Sequence, residues 1–157
     1  MMKKMIICIL LIFLMAGCST KKEETAETKE TSENEITEKE DVNMKLWINE
    51  EEVSVIWQDN ESVEALKDIV KENDLQISMS MYGGFEQVGA IGQSLPRNDV
   101  QTTTSYGDIV LYSGDQLVVF YGSNSWAYTM LGHIEDKSQE ELKELLGNGD
   151  VTITITQ

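Results

Sequence analysis

Residues 108–131 read DIVLYSGDQLVVFYGSNSWAYTML. Three apolar runs, 109–112, 117–121 and 126–131, are separated by Ser113-Gly114-Asp115, with Gln116 after it, and by Gly122-Ser123-Asn124-Ser125. β-branched and aromatic residues dominate the runs, and a glycine sits in each separator. That pattern predicts consecutive antiparallel strands joined by tight turns. The middle run, Leu117-Val118-Val119-Phe120-Tyr121, is apolar at every position. A strand of that kind is buried on both faces.

Working outward toward the N-terminus, 44–48 (MKLWI) is a short strand. Residues 52–57 (EVSVIW) read as its hairpin partner, with Val53, Val55 and Trp57 on one face. Asp59 or Asn60, with Ser62 as a rival, caps a helix over 61–72 whose apolar stripe is Val63, Leu66, Ile69 and Val70. Residues 75–81 alternate, with Leu75, Ile77, Met79 and Met81 facing inward. Residues 82–104 form a long irregular segment holding the sole proline, Pro96, and the sole arginine, Arg97. It has one short strand at 86–90 and the start of another at 101–104. Toward the C-terminus, Ser138 and Glu141 form a capping box on a helix over 139–146 that Gly147 ends. The strictly alternating VTITIT at 151–156 is a last strand. The sum is a mainly β domain of about eight mostly antiparallel strands and two helices. Hiding the sheet edges calls for a closed barrel with the helices at its ends.

The first 43 residues are of a different kind. Met1-Met2-Lys3-Lys4 is a basic start, 5–15 is an apolar run, and Ala16-Gly17-Cys18 follows. This is a secretory signal over 1–17, and the apolar run is shorter than the ~20 residues a spanning helix needs. Met15-Ala16-Gly17-Cys18 resembles the bacterial lipobox, with Met15 where leucine is commoner. The resemblance implies a diacylglycerol on Cys18 and anchoring in the cell membrane, facing the extracytoplasmic side. Residues 18–43 are rich in Lys, Glu, Thr and Ser, with Ile36 and Val42 as the only sizeable apolar side chains. Such a stretch reads as a disordered acidic tether. The domain proper is then 44–157.

The formal charge is −16, and the basic residues of 44–157 are six and scattered: Lys45, Lys67, Lys71, Arg97, Lys137 and Lys143. That excludes a phosphate-binding surface and argues against nucleic acid as a partner. Both cysteines, Cys8 and Cys18, lie in the leader, so the domain has neither a disulfide nor a thiol nucleophile. His133 stands alone, too few ligands for a zinc site and too weak a basis for a nucleophilic triad. Gly83-Gly84 and Gly89-x-x-Gly92 lack the lysine and helix of a phosphate loop. No cofactor or metal is expected.

The first candidate for a ligand groove is Tyr82-Gly83-Gly84-Phe85-Glu86. Adjacent glycines permit positive φ or a close backbone approach, flanking aromatics line a pocket, and Glu86 is its polar anchor. The competing reading is a tight turn with Tyr82 and Phe85 in the core. Gln93, Arg97 and Asp99 share the irregular segment, where an arginine–carboxylate pair recognises a small anion or peptide or simply pairs at the surface. Tyr112, Tyr121, Trp126 and Tyr128 supply aromatic walls. Core packing explains most of them equally well, and Phe120 belongs to the core.

The phrases MSMYGGFEQVG at 79–89, SLPRND at 94–99, YGDIVLYSGDQLVVFYGSNSWAYTMLGHI at 106–134 and LLGNGDVTITI at 145–155 resemble the bacterial cyclophilin-like domain family. The resemblance covers essentially all of 44–157 and implies a small barrel of the cyclophilin fold. Cyclophilins proper are prolyl isomerases with a Phe-His-Arg motif, a Phe-Met-x-Gln phrase, and a Trp and a His along the groove. None of those phrases occurs here. Arg97, in Leu95-Pro96-Arg97-Asn98, is the one arginine available for a catalytic role and does not map onto that motif. Fold does not carry function. The expectation is a binding module for a small molecule or an extended peptide. A weak prolyl isomerase acting on exported proteins is the alternative, and an assembly accessory without a groove ligand is a third reading.

Overall fold

The computed structural model describes residues 43–157. The signal, Cys18 and the tether up to residue 42 lie outside the described residues. In chain order the elements are β1 (Lys45–Ile48), β2 (Glu51–Val53), β3 (Val55–Trp57), α1 (Glu61–Glu72), β4 (Leu75–Tyr82), β5 (Glu86–Ala90) and β6 (Val100–Thr103). They continue with β7 (Asp108–Tyr112), β8 (Gln116–Phe120), β9 (Ser125–Ile134), α2 (Gln139–Leu146) and β10 (Val151–Thr156). The sheet runs β2-β1-β10-β4-β5-β8-β7-β9-β3, with β6 paired to β9 off that path, and its pairings are antiparallel.

The two ends of that order, β2 and β3, are consecutive in the chain. Only Ser54 separates them, so the sheet returns on itself and forms a nearly closed barrel. Here the structure corrects the single strand read over 52–57. β2 pairs with β1, whereas β3 pairs with β9. Ser54 makes the switch: its N–H donates to Asp136 Oδ1 at 3.0 Å and its carbonyl accepts from Glu135 N at 3.0 Å. That division is one reason ten strands are found where about eight are expected.

Met81 is a second correction. It fits the inward phase of β4 but is 44% exposed. The pairing of β4 with β10 stops at Met79↔Val151, and beyond it β4 is held only by β5. The Met81 N–H is taken up by Asp150 Oδ1 at 3.2 Å instead of by a strand. β4 has run past the end of β10 by that point, and the inward side-chain phase no longer finds a core.

β7 and β8 are covered on both faces, as the unbroken apolar run predicts. Ile109, Leu111, Leu117, Val119 and Tyr121 belong to the main core. The intervening Val110, Val118 and Phe120 join Tyr128 in a second cluster, with Phe85, Val88, Tyr112 and Met130 packed against it. Of the three candidate caps of α1, Asn60 is the one used. Its Oδ1 accepts from Val63 N at 3.0 Å while its Nδ2 donates to Met130 O at 2.8 Å, which ties the helix start to β9. The Ser138–Glu141 capping box forms on α2. Gln87 holds the far end of that helix, donating to Leu146 O and Gly149 O, each at 2.7 Å.

Candidate functional site

The second cluster floors a cavity of about 350 Å³, and the residues that form it come from five strands and one turn. Cross-strand partners share a face of a sheet. Glu86, the first residue of β5, lies opposite Phe120, a member of the second cluster; Gln87 lies opposite Val119, in the main core. Glu86 therefore faces the cavity and Gln87 the barrel interior. On β8, Gln116 and Val118 share the Phe120 phase and also line the cavity. Tyr128 stands between its neighbours' rings edge-on, 5.7 Å from Phe120 and 6.1 Å from Tyr112, centroid to centroid. Its hydroxyl accepts from Asn124 Nδ2 at 3.0 Å.

The rim is aromatic and wet. Tyr82 and Trp126 are 66% and 58% exposed. Tyr82 is set there by the β4–β5 turn, in which Gly83 and Gly84 have φ of +63° and +75° and Phe85 N returns to Tyr82 O at 3.3 Å. Left-handed backbone at two successive positions explains the glycine pair. A Cβ on Gly83 would run into the Phe85 ring. The Phe85 carbonyl accepts from Tyr121 N at 3.0 Å and Gly122 N at 2.9 Å, which pins the turn to the end of β8. The turn reading of Gly83-Gly84 thus holds, with Phe85 packed against the second cluster and Tyr82 at the cavity mouth.

Glu86 is the unusual group. It is 6% exposed, and its buried Oε2 has no hydrogen-bond partner among the described residues. Among the described residues no lysine, arginine or histidine lines the cavity. Burial alone pushes its carboxyl up to about 7, because the ionised form has lost its water and gained no counter-charge. Burial, and secondarily the Glu86 charge, raises the hydroxyls of Tyr121 and Tyr128 above the ordinary tyrosine value. At neutral pH the cavity therefore holds a carboxyl poised between its two states, walled by aromatic rings.

The other candidates fall elsewhere. Tyr121 is buried in the main core rather than in the groove. Arg97 and Asp99 pair at 3.4 Å, and Asp99 also accepts from Thr129 Oγ1 at 2.7 Å. Arg97 lines a separate polar hollow of about 610 Å³, with Asn60, Ser62, Asn98 and Thr102, that meets the Glu86 cavity only at Tyr128. Gln93 lies in a third hollow beside the C-terminal end of α1. His133 Nδ1 meets Asp108 Oδ1 at 2.8 Å across the β7–β9 ladder. The structure thus brings Tyr82, Glu86, Tyr112 and Trp126 together and leaves Gln93, Arg97 and Asp99 apart from them. Gln116 and Val118 are not singled out by sequence, and Asn124 reads there as a turn-former rather than a ligand. The first two share the period-2 phase of Phe120 on β8, and it takes the ladder with β5 to show that this phase faces Glu86. Among the described residues no three His, Cys, Asp or Glu side chains gather as a metal set, and no helix is long and apolar enough to cross a membrane.

A small antiparallel barrel carrying an aromatic pocket on its wall defines the class. The chain matches the cyclophilin-like family over residues 46–156 and belongs to it. No curated protein and no solved structure matches the chain.

Proposed function

We propose that this chain is a membrane-anchored, extracytoplasmic binding module whose ligand, a small molecule or an extended peptide, seats against Glu86. The observation that carries this reading is the unpartnered, buried Glu86 oxygen in a cavity with an open aromatic mouth. Burying a carboxylate without a partner is costly, and a ligand that completes its hydrogen bonding offsets that cost. The four aromatic side chains Tyr82, Tyr112, Trp126 and Tyr128 supply apolar contact, while Gln116 and Asn124 fix orientation. The anchor rests on the leader: a basic start, a short apolar run and Cys18 in a lipobox-like setting.

The test is a panel of small molecules and peptides titrated against the full chain in detergent, read by calorimetry. Trp126→Ala is expected to weaken the best binder by roughly tenfold or more, as loss of an aromatic anchor does, while Arg97→Ala leaves it unchanged. The isomerase alternative is checked on the same preparation by protease-coupled assay over several Xaa-Pro peptides. Acceleration that Arg97→Ala abolishes would replace the binding-module reading with an enzyme. For the anchor, Cys18→Ser is expected to lose the lipid label and leave the membrane fraction. Retention of label by that variant would move the lipid to another residue.

A further inference from the structure

We infer that the ligand of the Glu86 cavity is an organic cation, an amine or quaternary ammonium on a small apolar body, held between the Glu86 carboxylate and the surrounding tyrosine and tryptophan rings. The inference rests on the binding-module reading and names the class of ligand for that site.

The residues of the cavity narrow the choice. An anion would meet a carboxylate and no basic side chain, because among the described residues none lines the cavity. A neutral apolar ligand would leave Glu86 Oε2 as it is, buried and without a partner. A neutral carbonyl could accept a proton from the uncharged acid, but it gains nothing from ring faces, whose π-electron density is negative. A cation satisfies both features together. It gives the buried carboxylate its missing counter-charge, and aromatic faces attract it through their quadrupoles. Four such side chains, Tyr82, Tyr112, Trp126 and Tyr128, come from β4, β7 and β9 to one cavity. The formal charge of −16 over the chain further raises the local concentration of cations.

The pH dependence follows from which groups face Glu86. Tyr82 on β4, Tyr112 on β7 and Tyr128 on β9 line the cavity with it, Tyr121 lies just past β8 in the main core, and among the described residues no Asp, Lys, Arg or His lines the cavity. Burial holds the Tyr121 and Tyr128 hydroxyls above the ordinary tyrosine value, and Glu86 is the carboxyl that lines the cavity. A cation competes with the Glu86 proton. Its affinity therefore rises with pH up to about 7 and is level above it.

The experiment compares phenethyltrimethylammonium, whose charge does not change with pH, with the neutral 2-phenylethanol and with a panel of Xaa-Pro peptides. Each is titrated calorimetrically into the full chain in detergent from pH 5 to pH 8. The expected result is binding of the ammonium roughly tenfold or more tighter than the alcohol at pH 8, as for a desolvated cation on aromatic faces beside a carboxylate. Its affinity should climb by up to about tenfold per unit toward pH 7. Glu86→Gln should lose that slope and most of the preference for charge, while Arg97→Ala keeps both. Alcohol or peptide binding as tight as the ammonium, or an ammonium affinity unchanged in Glu86→Gln, overturns the cation and leaves the binding module standing. Binding by no probe overturns both.

Discussion

Urea unfolding at pH 5 and pH 8 is expected to show Glu86→Gln gaining on the parent chain by about 2.5 kcal/mol across that interval. The folded carboxyl titrates near 7 against 4.5 for the free group, with burial as the cause. Between those values the folded chain holds a proton that the unfolded chain has released. The parent is thus most stable, as far as this group is concerned, below about 4.5; it loses that stability as pH rises to about 7, and the loss is level above. The variant has no such group and no such loss. Other carboxyls titrate alike in both chains and cancel in the difference. Glu141 is one of these, its carboxyl held below the usual range by hydrogen bonds from Ser138. Parallel stability profiles for the two chains would mean that Glu86 is hydrated or paired in solution, and the reading of the cavity would go with it. A chain that keeps an unpaired carboxyl buried at neutral pH forgoes stability that glutamine or leucine would supply. That is the trade expected at a binding site.

Which parts of this were legible in sequence follows from how local each decision is. The double-sided burial of β8 is written in five consecutive apolar residues, and both clusters exist because of it. The helix caps at Asn60 and Ser138 are equally local. The break at Ser54 is not, because a serine between two valines fits an alternating strand, and the switch is made by Asp136 and Glu135, about eighty residues on in the chain. The site was half legible for the same reason. Tyr82 and Glu86 face each other across the β4–β5 hairpin, a contact set by the glycine turn between them. Gln93, Arg97 and Asp99 lie close by in sequence, but the chain leaves β5 at Ala90 and carries Gln93 and Arg97 to other hollows, with Asp99 paired to Arg97. Gln116 and Val118 were hidden by the very feature that made β8 easy to read. A run apolar on both faces gives no sign that one of those faces floors a pocket.

Phe120→Ala is expected to cost about 3–5 kcal/mol, the range for removing a fully buried aromatic ring, and to disable the site. Phe120 is wholly buried, packs edge-on against Tyr128 with an interplanar angle of 71°, and lies directly opposite Glu86 in the ladder. Loss of the ring leaves a void under the carboxyl and removes the support that orients Tyr128. Denaturant unfolding measures the first effect. Because the alanine chain is itself at risk of not folding, Phe120→Leu is the companion, with a smaller loss. Val119→Ala is the control, since it opens the main core from the next position on the same strand and leaves the pocket floor untouched. If the second cluster is the floor of a binding site, Phe120→Leu weakens the ligand more than Val119→Ala does, even where Val119→Ala destabilises the chain as much. The reverse order would mean that ligand affinity follows global stability and that the cavity has no separate floor. Water admitted to the Phe120→Leu void should also rehydrate Glu86 and lower its pKa toward 4.5, so the pH slope of stability should shrink in that variant and persist in Val119→Ala. The two faces of one strand then answer to two readouts: the inner face to stability alone, and the outer face to stability, ligand and pH together.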